Sequence, residues 1–313
     1  MTDFWRRPTV SAALGRRPLI GVVSIASVLA LAACGGGEGG EADAPPTVEA
    51  DPELAAMVPQ EISDAGSVRI GVDASYAPAE FLDTDGQTVI GFDVELFDAV
   101  AGKLGLETEW QPAPFGNIIT GVDSGRYDLG ISSFTINDER LEQANMVSYF
   151  NVGTQWFTQA GSTAGVDPDN ACGRRIAVQA NTVQVPDIQA RSEQCVEDGE
   201  DEIVIEQFEG QDQATESIVS GKNDAGLADL PVAVYAVEQT GGQLETLGEQ
   251  YEAAPYGAVV NKDDTELAEA VAAGYQAIID DGTYGEILAE WGLEQGAIEQ
   301  PEINPDVSAP GEE

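Results

Sequence analysis

The sequence predicts an α/β fold: open, mostly parallel sheets with helices on both faces. Three observations carry that prediction. Short apolar runs recur along the chain, and longer stretches with apolar residues at helical spacing lie between them. Strands that alternate with helices form parallel sheets, because parallel neighbours need a long crossover. The chain has 313 residues and is 42% hydrophobic, enough for two domains of ordinary size.

The elements follow in order. Residues 68–72 (VRIGV) read as a short apolar strand. Residues 93–104 (DVELFDAVAGKL) place Val94, Phe97, Ala101 and Leu104 on one helical face, and Gly105 is the stop. Residues 107–110 read as a strand, 115–124 as a helix closed by Gly125, and 128–131 as a strand. Further strands are expected at 175–179, 203–208 and 224–228, with helices at about 182–192, 212–220 and 231–239. A strand at 256–260 precedes two helices, at about 264–281 and 283–291. Residues 296–313 are Pro-rich and acidic and read as a loose tail.

Composition removes several functions. The formal charge is −43, and a nucleic-acid partner needs a basic face. The chain has no histidine, so Ser-His-Asp triads, Cys-His pairs and HExxH zinc sites are all excluded. No metal or cofactor is expected.

The first 33 residues read as an export signal. Arg6, Arg7, Arg16 and Arg17 form a basic region, and residues 19–30 are an apolar run too short for a comfortable membrane span. Leu31-Ala32-Ala33-Cys34 resembles a lipobox, which makes Cys34 the expected site of lipid attachment at the outer face of the cytoplasmic membrane. The paired arginines leave the export route open. Residues 34–66 are small, acidic and Pro-containing and read as a flexible tether. Gly35, Gly37 and Gly40 fit GxGxxG, but no strand precedes them and no helix follows, so a dinucleotide site is rejected. Cys172 and Cys195 remain, and in an exported protein they are expected to form a disulfide.

The stretch SSFTINDER, residues 132–140, raises a sharper question. After Cys34 only six Arg and three Lys face 55 Asp and Glu, so each cation stands out. The stretch follows the strand at 128–131, and open α/β sheets bind ligands at such carboxyl ends. Thr135 or Asn137 can cap the following helix. Arg140 then falls in the first helical turn, where a cation opposes the helix dipole. Either a ligand carboxylate or an Asp or Glu of the chain itself compensates it.

GFDVELFDAVAGKL (91–104) resembles the signature of bacterial solute-binding protein family 3, which serves polar amino-acid ABC transporters. VRIGVDASYAPAEF, SGRYDLGISSFTINDER, RIAVQANTVQ and KNDAGLADLPVAVYAV resemble later and earlier landmarks in the family's order, and coverage runs from about 67 to 293. The resemblance implies a two-lobe, periplasmic-binding-protein-like fold hinged by two crossing strands. Lobe one would comprise 67–155 and 254–295, and lobe two 156–253 with the disulfide. The crossings would lie near 153–157 and 253–256. The family's site carries over residue by residue. Arg140 would grip a ligand α-carboxylate, helped by Thr135, the backbone after Ser133, and Thr182 from lobe two. Asp229 would receive the α-ammonium, with Ser132 assisting. Tyr76 and Phe115 would enclose the aliphatic part, and Asp73 would face the side chain. Asp73 repels an acidic ligand, so a cationic or amide side chain is favoured. Ala79 and Ala180-Asn181 depart from the family's usual pattern, at what is expected to be the side-chain end of the pocket.

The implied function is a monomeric receptor, not an enzyme, that delivers a free amino acid to an ABC permease. Two alternatives share the fold: an exported dehydratase of the cyclohexadienyl or arogenate type, and a sensor that reports an amino acid to a membrane signalling partner.

Overall fold

A computed structural model describes residues 49–307. The expected signal, Cys34 and the first part of the expected tether lie outside the described residues. Its later part is docked on the fold. Two short helices, α1 (Pro52–Ala55) and α2 (Gln60–Ala65), open the described chain. Asp51 caps α1 by accepting from the Glu53 and Leu54 N–H groups. Its own N–H donates to the Lys103 carbonyl at 2.9 Å. Val58 and Ile62 are buried. A good cap and two apolar anchors thus outweigh the acidic composition from residue 51 to 66.

The chain then runs β1 (Ser67–Val72), β2 (Ser75–Tyr76), β3 (Glu80–Leu82), β4 (Val89–Ile90), α3 (Phe92–Lys103), β5 (Glu107–Pro112), α4 (Ile118–Asp123), β6 (Leu129–Gly130), α5 (Asp138–Gln143) and β7 (Ala144–Gln159). It continues with β8 (Arg175–Gln179), α6 (Gln184–Glu197), β9 (Val204–Phe208), α7 (Gln211–Val219), β10 (Ala225–Asp229), α8 (Leu230–Gln239), β11 (Leu244–Asn261), α9 (Thr265–Asp280) and α10 (Thr283–Trp291). The expected helix at 115–124 is a 3₁₀ turn, Phe115–Asn117, followed by α4.

Eight strands form one sheet in the order β5-β1-β6-β11-β7-β10-β8-β9. β1 is parallel to β5 and β6, and β8 to β9 and β10. The antiparallel pairings all involve β7 or β11. These two long strands pass through the middle of the sheet and contain both segments expected to cross. β7 is buried on both faces along nearly its whole length, so its sequence lacks the two-residue alternation that marks a strand. β11 shifts register against it at Leu247/Tyr251 and Tyr251/Ala254. Gly153 of β7 packs there: a Cβ would stand 2.5 Å from the Tyr251 carbonyl oxygen, so only glycine fits.

A separate apolar cluster lies on each side of this strand pair. One contains Phe115, Ile118, Tyr127, Phe134 and Val259. The other contains Trp156, Ile176, Ile188, Cys195 and Leu227. Cys172 and Cys195 form the expected disulfide, with Cα atoms 5.6 Å apart. α3 differs from the expected one-faced helix. Leu96, Ala99 and Val100 are buried along with Val94, Phe97 and Ala101, and so is the acidic Asp93.

β2, β3 and β4 form a small antiparallel sheet that the sequence did not suggest, since each strand has only two or three residues. The end of the described chain also departs from expectation. Residues 301–307 lie along β7 rather than loose. Ser148 N–H donates to the Glu302 carbonyl at 2.9 Å, and Asn304 exchanges hydrogen bonds with the Met146 backbone and donates through Nδ2 to Asn145 Oδ1.

Candidate functional site

The carboxyl ends of β1, β6, β8 and β10 converge on one cleft. Every sequence-predicted site residue lines it: Asp73, Tyr76, Phe115, Ser132, Ser133, Thr135, Arg140, Thr182 and Asp229. β1 ends at Val72 and leads directly to Asp73. β6 ends at Gly130 and leads to Ser132 and Ser133. β10 ends on Asp229.

Arg140 is held from both sides. Asn137, not Thr135, caps α5, with Oδ1 accepting from the Arg140 N–H at 2.9 Å. The guanidinium donates to the Thr135 carbonyl at 2.6 Å and to the Asn181 carbonyl at 3.2 Å. It lies 5.3 Å from the ring centres of both Phe115 and Phe134. The only acceptors in these bonds are backbone carbonyls, so the intramolecular carboxylate partner considered for Arg140 is not among them. Burial pulls the guanidinium down to about 10, against the pull of the Asp229 charge. It remains a cation at neutral pH.

Asp229 begins α8 but its side chain makes no capping bond. Instead it accepts from Tyr76 Oη at 3.0 Å, Tyr256 Oη at 2.6 Å and Gln184 Nε2 at 2.8 Å. It is buried, and burial raises its carboxyl above the ordinary value although these donors pull it back. Asp73 Oδ2 accepts from the Phe115 N–H at 3.1 Å and from Gln179 Nε2 at 2.8 Å. Burial raises this carboxyl too. The Thr182 hydroxyl donates to the Gln179 carbonyl at 2.8 Å.

Several of these bonds join the two halves of the sheet. Tyr76 reaches Asp229, Gln179 reaches Asp73, and Arg140 reaches Asn181. Gln211 N–H adds a bond to Ser75 Oγ at 3.2 Å.

Sequence reasoning missed Glu80, Gln179, Val183 and Gln184 in the lining, and Tyr256 behind Asp229. Gln179 was findable: it ends a strand, like Asp73 and Asp229. Ala79, expected at the side-chain end of the pocket, is fully buried beneath Gly91 and is not among the lining residues.

Residues 68–294 match the model of the bacterial extracellular solute-binding proteins, family 3. The chain belongs to this family. As a family 3 solute-binding protein it is 38% identical over 254 residues to the arginine-binding protein ArgT of Corynebacterium glutamicum, a match covering 81% of this chain and 83% of that one. It also resembles an ancestral arginine-binding protein solved bound to arginine, with a TM-score of 0.67 and 28% identity over 72% of this chain and 98% of that one. A second similar structure is the ancestral amino acid-binding protein AncCDT-1, a precursor of cyclohexadienyl dehydratase (TM-score 0.64, 28% identity, 74% and 98% coverage).

Proposed function

We propose that this protein is a monomeric extracytoplasmic receptor for a free cationic amino acid, arginine above all, which it delivers to an ABC permease. The observation that carries this reading is one cleft holding a buried cation, Arg140, and a buried anion, Asp229, with a second acid, Asp73, in the same wall. A zwitterion needs one fixed cation and one fixed anion. Arginine's planar fork suits an α-carboxylate, and a buried carboxylate suits an α-ammonium. Asp73 with the Gln179 amide offers acceptors to a cationic side chain. The arginine-binding relatives support that choice. In this reading Tyr76 and Phe115 enclose the aliphatic stem, Ser132 assists at the ammonium, and Thr135, Thr182 and the backbone after Ser133 assist at the carboxylate.

Two lobes, 67–155 with 254–295 and 156–253, close over the ligand in our reading. Motion is concentrated where β7 and β11 are bulged and Gly153 packs on Tyr251. Cys34 anchors the receptor by lipid. The chain acts by binding and not by catalysis, since the cleft pairs fixed charges suited to holding a zwitterion.

Isothermal titration of residues 49–313 with arginine, lysine, glutamine, glutamate and prephenate tests this. Arginine should bind tightest, glutamate should not bind, and prephenate should neither bind nor turn over. Arg140→Lys keeps the charge but loses the fork, and should weaken arginine by about 2 kcal/mol or more. Turnover of prephenate would replace the receptor with a dehydratase. Silence with all five would sink both.

A further inference from the structure

Ser133 has a left-handed backbone, φ 50°, and its hydroxyl poses a counting problem. Ser133 Oγ lies 3.3 Å from Glu80 Oε2 and 3.2 Å from Asp93 Oδ2. A hydroxyl carries a single proton, so it can donate to one of these acids only. If both acids were ionised, the other contact would set two oxygens together with no proton between them. Glu80 and Asp93 each have no exposed surface, and two ionised carboxylates cannot share so dry a site. One extra proton must therefore reside on the pair.

The surrounding donors decide which acid is the anion. Asp93 Oδ2 accepts from the Ser133 N–H at 3.0 Å and from Tyr149 Oη at 2.6 Å. Asp93 also sits in the first turn of α3, where the helix dipole favours negative charge. Glu80 Oε1 accepts from Ser132 Oγ at 3.1 Å, and Ser132 Oγ in turn accepts from the Asp73 N–H at 3.0 Å. We propose that Glu80 is a neutral carboxylic acid whose proton completes this network, and that Glu80 and Asp93 act as one acid–carboxylate unit positioning Ser132 and Ser133 in the cleft. The proton has two acceptors in reach. One is Ser133 Oγ, whose own O–H then donates to Asp93 Oδ2. The other is the Asp93 carboxylate, with which Glu80 interacts directly and whose Oδ1 has no hydrogen-bond partner among the described residues.

Burial, and then the Asp93 charge, push the Glu80 carboxyl well above the usual carboxylate range. The Asp73 charge also acts on Glu80, and the charges of the pair act in turn on the neutral tyrosines Tyr76, Tyr149, Tyr256 and Tyr275. None of them is a cation. Glu80 and Asp93 are positioning residues here. Their role in binding rests on the reading that Ser132 and Ser133 face an amino acid, but the proton does not.

Infrared spectroscopy of the ligand-free protein at neutral pH reads the proton directly. Exposed carboxyls are then ionised, so the carbonyl stretch of a neutral carboxylic acid should stand alone. It should be present in the wild type, shift in heavy water, persist in Asp229→Asn and vanish in Glu80→Gln. Absence of this band from the folded wild type, or its survival in Glu80→Gln, overturns the proposal. Arginine titration supplies the second arm. Glu80→Gln keeps a neutral group that both donates and accepts, and should hold affinity within about threefold. Glu80→Leu strands the Ser132 hydroxyl and should lose about tenfold or more. Equal affinity for Gln and Leu variants overturns the positioning role. A wild type that shows the band but binds no amino acid would sink the receptor reading and leave the proton in place.

Discussion

Asp229 shows how a proposed binding residue is tuned against stability. Its carboxylate is satisfied by two tyrosine hydroxyls and the Gln184 amide, yet burial still raises it. A group whose folded value is raised favours the fold in its protonated form. That contribution is complete below the ordinary carboxylate value and is lost as pH rises through the folded value. Above its folded value an ionised Asp229 opposes folding, and Asp229→Asn removes the opposition. Calorimetric melts should put Asp229→Asn at or above the wild type at pH 7, with the gap closing near pH ~4. Titration of the same variant should show arginine affinity down by about 2 kcal/mol or more, because the α-ammonium loses its counter-charge. A variant that melts well below the wild type at pH 7 would make Asp229 a structural acid.

At the scale of the element, the disulfide and the site lie at opposite ends of α6. Gln184 occupies the first residue and Cys195 is eleven further on, about 16 Å along the axis. The bridge closes a loop with a separation of 23 residues. In the chain-entropy model that contributes about 3–4 kcal/mol by restricting the unfolded chain. The double variant Cys172→Ser, Cys195→Ser should melt roughly 5–15 °C lower while binding arginine within a few-fold of the wild type. Loss of affinity in protein that is still folded would show that the bridge shapes the cleft. Elements also mark what the sequence could reveal. Gly105 and Gly125, the helical spacing of α9 and the strand-end rule were local signals and found most elements, while the nine lining residues came from the resemblance to the family. β7 was hidden because burial on both faces erases its alternation. Residues 301–307 were hidden because their order depends on partners about 150 residues away, at Asn145, Met146 and Ser148. Glu80 and Asp93 were hidden for a related reason: acids are surface residues by composition, and only the fold removes these two from water.

Across the whole molecule, the charge of −43 should act in opposite directions on folding and on binding. Nine cations follow Cys34, and among the described residues five of them pair with acids: Arg69 with Asp128, Lys103 with Asp281, Arg175 with Asp224, Arg191 with Asp187, and Lys222 with Glu206. Acids far outnumber cations, so the folded chain repels itself and attracts cations. Raising sodium chloride from ~0.1 M to ~1 M shortens the screening length from about 10 Å to about 3 Å. Self-repulsion weakens, and the melting temperature should rise. The same screening removes the long-range attraction that steers a cationic ligand, so the association rate for arginine should fall. Its dissociation rate should change little, because the contacts to Arg140 and Asp229 are buried and poorly screened. Stopped-flow association and thermal melts over one salt series test both signs on one preparation. An association rate that ignores salt while the melting point climbs would mean that the field does not reach the cleft mouth. The acidity would then serve solubility alone, and capture of the ligand would depend on the local geometry of Asp73 and Gln179.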